Sequence, residues 1–438
     1  MTLTLLAEGW IVSHRLLHKD YGVLLELLLA LPLAALINLV AFILLTLAQI
    51  ELSALSIMIS NLCCTGIFLI SVQPLIKAKS TKSISEDSLV KIPGILTVIS
   101  VLILASSTFY AVSHALLPTF HYDSTTNWNM RSKVSFYEGE VVFDTQNGLV
   151  SKPNYPFLYH ALQISVNQFS PNWSDLSANV IHLLLMLSSL GVVFFFLSRR
   201  GRSYALCTMA LIVGIPLLTL HTGQSYADIT LVTFALLSLS FLLEYRRVDD
   251  PRFLMLSGLF ICASVWTKSD GIFFCYIPWI IMMSIILIRR AESISSLRYP
   301  VAFSMLFSLS WPVFATFKDL SLTPHGSGDT EFAINIEAVT AFTKAMFVTG
   351  SFGVYWYGVI SILFLMIVGI RKGIIEIDHR YVVTLLWGLI ALAGYMGVYL
   401  LTSNVEYLII GQSFDRQILL PASLLTLSLA YTLIPRRL

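Results

Sequence analysis

The sequence predicts an all-α integral membrane protein, a bundle of about 12 transmembrane helices. Three observations predict it. Of 438 residues, 56% are hydrophobic and only 12% charged, whereas a soluble domain carries roughly a quarter charged residues. Apolar runs recur from one end of the chain to the other with short polar interruptions. Basic residues cluster in alternate interruptions, as the positive-inside rule requires of a chain that crosses and recrosses a bilayer.

The opening stretch, MTLTLLAEGWIVSHRLLHKDYG, lacks both a basic start and a small-residue cleavage site. It reads as an interfacial amphipathic segment rather than a signal peptide. At 1.5 Å rise and about 20 apolar residues per crossing, spans fall near 23–49, 53–75, 92–116, 179–197, 204–222 and 226–243. Further spans fall near 253–267, 272–288, 299–317, 353–370, 381–402 and 417–434. Those between 226 and 288 are short for a full crossing.

With a cytoplasmic N-terminus, one face takes Arg15 and Lys19, then Lys77, Lys79, Lys82 and Lys91, then Arg199, Arg200 and Arg202. The same face takes Arg246, Arg247 and Arg252, then Arg289, Arg290 and Arg298, then Arg371, Lys372 and Arg380, and finally Arg436 and Arg437. The other face holds only Arg131, Lys133, Lys152, Lys268, Lys318, Lys344 and Arg416, over longer loops. The net charge of +2 points to no nucleic-acid partner. Cys63, Cys64, Cys207, Cys262 and Cys275 lie in or beside apolar runs without metal-ligand spacing, and read as buried free thiols.

Two outward loops are long, 117–178 and 318–352, and loops of that length are usually functional or disordered. The first is rich in aromatic residues and is expected to carry interfacial helices near 124–137 and 156–168. The second contains TPHGSGDT, the composition of a connector or lid. No internal repeat of the kind expected of many transporters is evident.

Polar groups gather at the outward ends of several spans: His121 and Asp123, then His221 through Asp228 in HTGQSYAD, then Lys268 and Asp270 in TKSDG, then Asp415 and Arg416 in SFDRQ. Charge beside hydrocarbon is costly unless paired or hydrated, so such groups default to function. The ordered series HYDSTTNWNMRSKVSFYEGEVVF, NYPFLYHALQ, SYADITLVTFALLSL, WTKSDGIFF and SFDRQILLP resembles the landmarks of GT-C membrane glycosyltransferases that use polyprenyl-phosphate sugars. The similarity is to the superfamily of protein O-mannosyltransferases and aminoarabinose transferases, over roughly residues 92 to 434.

The resemblance implies a hexosyl- or pentosyltransferase in a bacterial inner membrane, with its site facing the periplasm. Its partners would be membrane lipid, a polyprenyl-phosphate sugar donor, and a glycan, lipid or protein acceptor. It implies Asp123 as catalytic base, with Lys268 and Arg416 gripping the donor phosphate. His121, Trp128, Tyr155, His160, His221, Tyr226, Asp228, Asp270 and Asp415 are possible lining residues. Residues 1–91 read as an added amphipathic segment and two-helix hairpin before a core of 92–438, because the catalytic loop here follows the third span rather than the first. A large C-terminal soluble domain, used by several relatives for the acceptor, is not seen in this sequence. HYD offers one carboxylate where some members have a pair, so no metal or cofactor is predicted and a divalent metal stays an open alternative.

The chemistry stands without the family. Glycosyl transfer from a lipid phosphate to a hydroxyl needs a carboxylate to take the proton and cations to hold the departing phosphate. Plainer readings compete at each residue. Asp123 and Asp228 would serve as helix N-caps, Lys268 would snorkel to the interface, and Arg416 would pair with its neighbour Asp415. Trp128, Tyr137, Tyr155 and Trp173 would be interface anchors, and the three histidines lack metal spacing. Asn172-Trp173-Ser174 is a formal glycosylation sequon. Two other functions are weighed: a polysaccharide polymerase or ligase with a diphosphate-linked donor, and a lipid or solute transporter with mid-bilayer charges. Glu26, early in the first span, fits neither the site nor a loop.

Overall fold

The computed structural model describes residues 2–73, 89–143, 150, 152–288, 294–322, 331–411 and 413–435. Lys77, Lys79, Lys82, Arg289, Arg290, Arg436, Arg437 and the TPHGSGDT run lie outside them. The N-terminal helices are α1 (Thr2–Tyr21), α2 (Val23–Leu47), α3 (Ala54–Ser71) and α4 (Gly94–Ala115). The first long loop then holds a π-helical turn, Ser124–Trp128, running into α5 (Asn129–Glu138), and later α6 (Leu158–Asn167). Both loop helices stand where the aromatic content placed them.

The central elements are α7 (Asp175–Leu197), α8 (Arg202–Val213), α9 (Pro216–Thr222), α10 (Ala227–Val248) and α11 (Pro251–Thr267). They are followed by α12 (Ile277–Ile288), entered through the π turn Ile272–Tyr276, and by α13 (Ile294–Phe317). The last group is α14 (Glu337–Lys344), α15 (Tyr355–Arg371), α16 (Val382–Leu401), α17 (Val405–Ile409) and α18 (Phe414–Thr432). A two-stranded antiparallel ribbon, Ile375–Ile377 with Leu433–Pro435, is the one sheet among the described residues.

This is a multi-pass membrane architecture. Among the described residues, α2, α3, α4, α7, α10 and α16 are long and apolar enough to cross a bilayer, and a seventh span results if α8 and α9 count together. That pair is bent by 82° where Gly214 ends one helix and Pro216 starts the next. Proline fits a first turn because the missing N–H would have no helical partner there. Four further apolar stretches, in α11, Ile272–Ile288, α13 and α15, are shorter. Among the described residues every expected span position thus holds a helix, while six or seven meet the criteria of length and apolar composition together. α10 lies wholly inside the bundle, so it is apolar all round rather than along one stripe. It packs against α7, α11 and α18.

The N-terminal segment departs from the interfacial reading. Gly22, at φ +82°, turns the chain sharply, and α1 runs back along α2. Ser13 donates to the Glu26 carbonyl at 2.9 Å, and His14 Nδ1 meets the Glu26 carboxylate at 3.0 Å. This pairing accounts for the carboxylate placed so early in α2. Gly9 makes the contact possible, since a Cβ there would sit 1.7 Å from the Ala30 carbonyl oxygen.

Among the described residues, basic side chains assigned to one face meet at one end of the bundle. Arg199 and Arg247 both reach Glu244, at 2.7 and 2.9 Å. Arg200 donates to the Tyr431 carbonyl, Arg252 to that of Leu16 and Arg246 to that of Arg380. Of the cysteines, Cys64, Cys262 and Cys275 are buried, whereas Cys63 is exposed and Cys207 half-buried, because their helix faces are not covered by the protein.

Candidate active site

The opposite end brings together side chains from five separate segments. Arg416, in the first turn of α18, forms an ion pair with Asp123 and stands 3.9 Å from Asp228 Oδ2. Its guanidinium also lies over the Tyr226 ring, 5.3 Å from the centroid. Lys268, just past α11, donates to Asp228 Oδ1 at 2.8 Å and reaches Asp270 at 3.0 Å. The result is a chain of alternating charge: Asp123, Arg416, Asp228, Lys268, Asp270. Low dielectric strengthens each link, and Asp228 and Lys268 are almost entirely buried.

The plainer readings do not describe these residues. Asp123 has helical φ and ψ and no capping bond, because the helical turn starts before it. Tyr226, not Asp228, occupies the N-cap of α10. Lys268 points inward to two carboxylates instead of out to an interface. Arg416 ignores Asp415, whose carboxylate accepts the Ser351 amide at 3.2 Å. Burial alone would lower the Lys268 pKa, but Asp228 and Asp270 outweigh it and hold the ammonium charged.

Lys152 joins this cluster although sequence reasoning gave it no role. Burial lowers its pKa, Lys268 and Arg416 push in the same direction, and Asp123 and Asp228 oppose them. It is the cluster's one lysine or arginine without an ion pair among the described residues. Its only sequence signal was being a rare basic residue on a sparsely charged face.

An aromatic wall backs the cluster. His221 stacks on Tyr226, with ring centroids 3.8 Å apart, and His121 meets both at 5.8 Å. Burial, aided by His114, lowers the His121 pKa and so favours its uncharged ring. Trp128 and Tyr155 are buried against each other at 4.6 Å and are not interface anchors, whereas Tyr137 is exposed as an anchor would be. His160 is buried behind them, with Nδ1 2.7 Å from Ser132 Oγ. Among the described residues no group of three or more His, Cys, Asp or Glu is disposed to hold a metal.

Gln224 holds the start of the loop. Its side chain accepts the Phe120 amide at 3.1 Å and donates to the His114 carbonyl at 2.8 Å, and its own carbonyl accepts Ser124 Oγ at 2.6 Å. Asp175 adds bonds to the Thr119 amide, Asn129 and the Trp173 indole. Asp123 therefore sits on a fixed stretch of backbone. A separate cleft of about 810 Å³ is lined among others by Glu51, Glu138, Glu140, Asn154 and Asp319. It contains none of the predicted site residues.

No family model matches the chain, and no curated relative does. Two solved structures resemble it. The crystal structure of ArnT from Cupriavidus metallidurans in the apo state superposes with a TM-score of 0.51 and 14% identity, over 77% of this chain and 60% of that one. The crystal structure of the same protein bound to undecaprenyl phosphate gives 0.52 and 14%, over 76% and 60%. The fold is GT-C. The GT-C likeness is one of architecture, and this chain spans 60% of the length of the ArnT structures. Within its own GT-C bundle, Asp123, Lys268, Arg416, His121, His221, Tyr226, Asp228 and Asp270 converge, whereas Asp415 turns away and His160 lies behind the wall.

Proposed function

We propose that the protein is a membrane glycosyltransferase that moves a sugar from a polyprenyl-phosphate donor to an acceptor hydroxyl, on the non-cytoplasmic side of a bacterial inner membrane. The single observation that supports this most is the meeting of Asp123 with Arg416 at the mouth of a GT-C bundle. A general base and a phosphate-binding cation must stand within one sugar's reach, and these do.

In the reaction, the acceptor oxygen forms a bond to the anomeric carbon while its proton passes to the Asp123 carboxylate. The bond from that carbon to the phosphate oxygen breaks, and the lipid phosphate leaves with the electron pair. Arg416 and Lys152 stabilise the charge that develops on it. Lys268, held between Asp228 and Asp270, fixes the field and keeps Asp228 beside Arg416. Its part is positioning rather than direct grip, which revises the sequence-based role. The neighbouring ArnT structure with undecaprenyl phosphate bound lends the lipid-phosphate donor its plausibility.

The test is transfer from a radiolabelled polyprenyl-phosphate sugar by the purified, reconstituted protein. Asp123→Asn is expected to fold and to be inactive. Full activity of that variant would remove the mechanism, and strict dependence on a diphosphate-linked donor would favour a polymerase or ligase.

A further inference from the structure

Residues 331–335 run as an extended arm along the last turn of α16, and Ile336, with helical φ and ψ, opens the turn into α14. Phe332 bridges to Thr402. The Ala333 and Asn335 amides donate to the carbonyls of Leu401 and Leu400, at 3.1 and 2.9 Å. The Asn335 side chain donates to the Thr402 carbonyl at 2.8 Å, satisfying backbone that the helix end leaves open.

In such a segment side chains alternate between faces. Ala333 and Asn335 turn toward the protein and are half-buried, while Phe332 and Ile334 turn away and are 75% and 73% exposed, and Ile336, in the turn that follows, is 79% exposed. The neighbouring α17 adds exposed Ile409 and Ile410. Large apolar residues collected on one face mark an interaction surface.

Its position says what covers it. The arm is bonded to the end of α16, one of the helices able to cross a bilayer. Val398 and Leu401, in the last turn of α16 to which the arm is bonded, are themselves exposed apolar residues. On its other side the arm leads into α14, where Phe342 packs on Phe414 at 4.9 Å, two residues before Arg416. We propose that Phe332, Ile334 and Ile336 insert into the lipid leaflet beside the site, so that the bilayer itself sets the depth of the mouth formed by Asp123 and Arg416. A lipid-borne phosphate then meets Arg416 at the level of the headgroups, without leaving the membrane.

The experiment uses the full chain in phosphatidylcholine vesicles and does not depend on catalysis. Ile334→Cys, with Cys63→Ser and Cys207→Ser to remove the two native thiols that the protein does not cover, carries an environment-sensitive fluorophore. Ala333→Cys in the same background serves as the inward-facing control. The expected result is blue-shifted emission at Ile334→Cys, quenched several-fold more strongly by lipids bearing a nitroxide near the headgroup than by a water-soluble nitroxide. Stronger quenching by the aqueous reagent would overturn the proposal. So would protection from both reagents with self-quenching that grows with protein density, which would mean that a second copy covers the arm. Neither result bears on whether Asp123 is a base, so the two ideas fail separately.

Discussion

Arg416 and Asp123, 293 residues apart in the chain, form an ion pair at the mouth of the bundle, and the same guanidinium leans toward Asp228. Asp123→Asn removes the proton acceptor but keeps the shape and a hydrogen-bond acceptor for Arg416. Turnover is expected to fall by about 10²–10⁴-fold, with thermal unfolding in detergent nearly unchanged. Unaltered turnover would contradict a base role.

Arg416→Lys keeps the charge and loses the planar fork. Because one guanidinium serves both Asp123 and the proposed phosphate, kcat/KM for the donor is expected to fall by an amount equivalent to about 1.5–3 kcal/mol. A change in acceptor KM alone would argue that Arg416 has no part in donor binding.

Lys268 and Asp228 form a buried pair, and the two partners make different predictions alone and together. Lys268→Met leaves Asp228 short of its nearest cation and is expected to destabilise the protein by about 3–5 kcal/mol. Adding Asp228→Asn to that variant should recover most of the loss, because the orphaned charge is gone. The measurement is a double-mutant cycle on thermal stability.

The lowered pKa of Lys152 predicts an alkaline limb in donor binding. A lysine with a depressed pKa is charged below it and neutral above it, so its attraction for phosphate is lost as pH rises, at lower pH than for an ordinary lysine. KM for the donor should climb on that limb. Lys152→Arg should move the climb to higher pH, and an unmoved limb would assign it to another group.

Gly9 supplies a prediction remote from catalysis. Gly9→Leu drives atoms into the Ala30 backbone and is expected to cost about 1–3 kcal/mol, as overpacking does. Limited proteolysis of reconstituted protein should then release α1, whereas Gly66→Leu, where a Cβ meets nothing within 4 Å, should not.

The bundle and its two loop helices were legible because they depend on local properties: apolar run length and aromatic content. The loop helices end within two residues of their expected limits at Glu138 and Leu158. The polar clusters could be named, since each sits at the end of a run, but their pairing could not. Arg416 bonds to Asp123 rather than to its neighbour Asp415 because of a helix approach that no local pattern encodes. Lys152 was hidden for the same reason, as a loop residue whose surroundings come from distant helices. Trp128 and Tyr155 looked like interface anchors because aromatic residues near a membrane usually are, yet packing against Tyr159 and His160 buries Trp128. The return of α1 along α2 depended on a single glycine and on a histidine twelve residues before its carboxylate partner, neither of which shows in hydropathy.

Gln224 carries a consequence for durability. One amide ties the backbone just ahead of Asp123 to the end of α4, and the aspartate has no capping bond of its own to keep it there. On gentle warming this stretch should loosen while the long helices stay intact. Enzymatic half-life should therefore expire at temperatures where circular dichroism still reports full helix, and Gln224→Ala should widen the gap between the two.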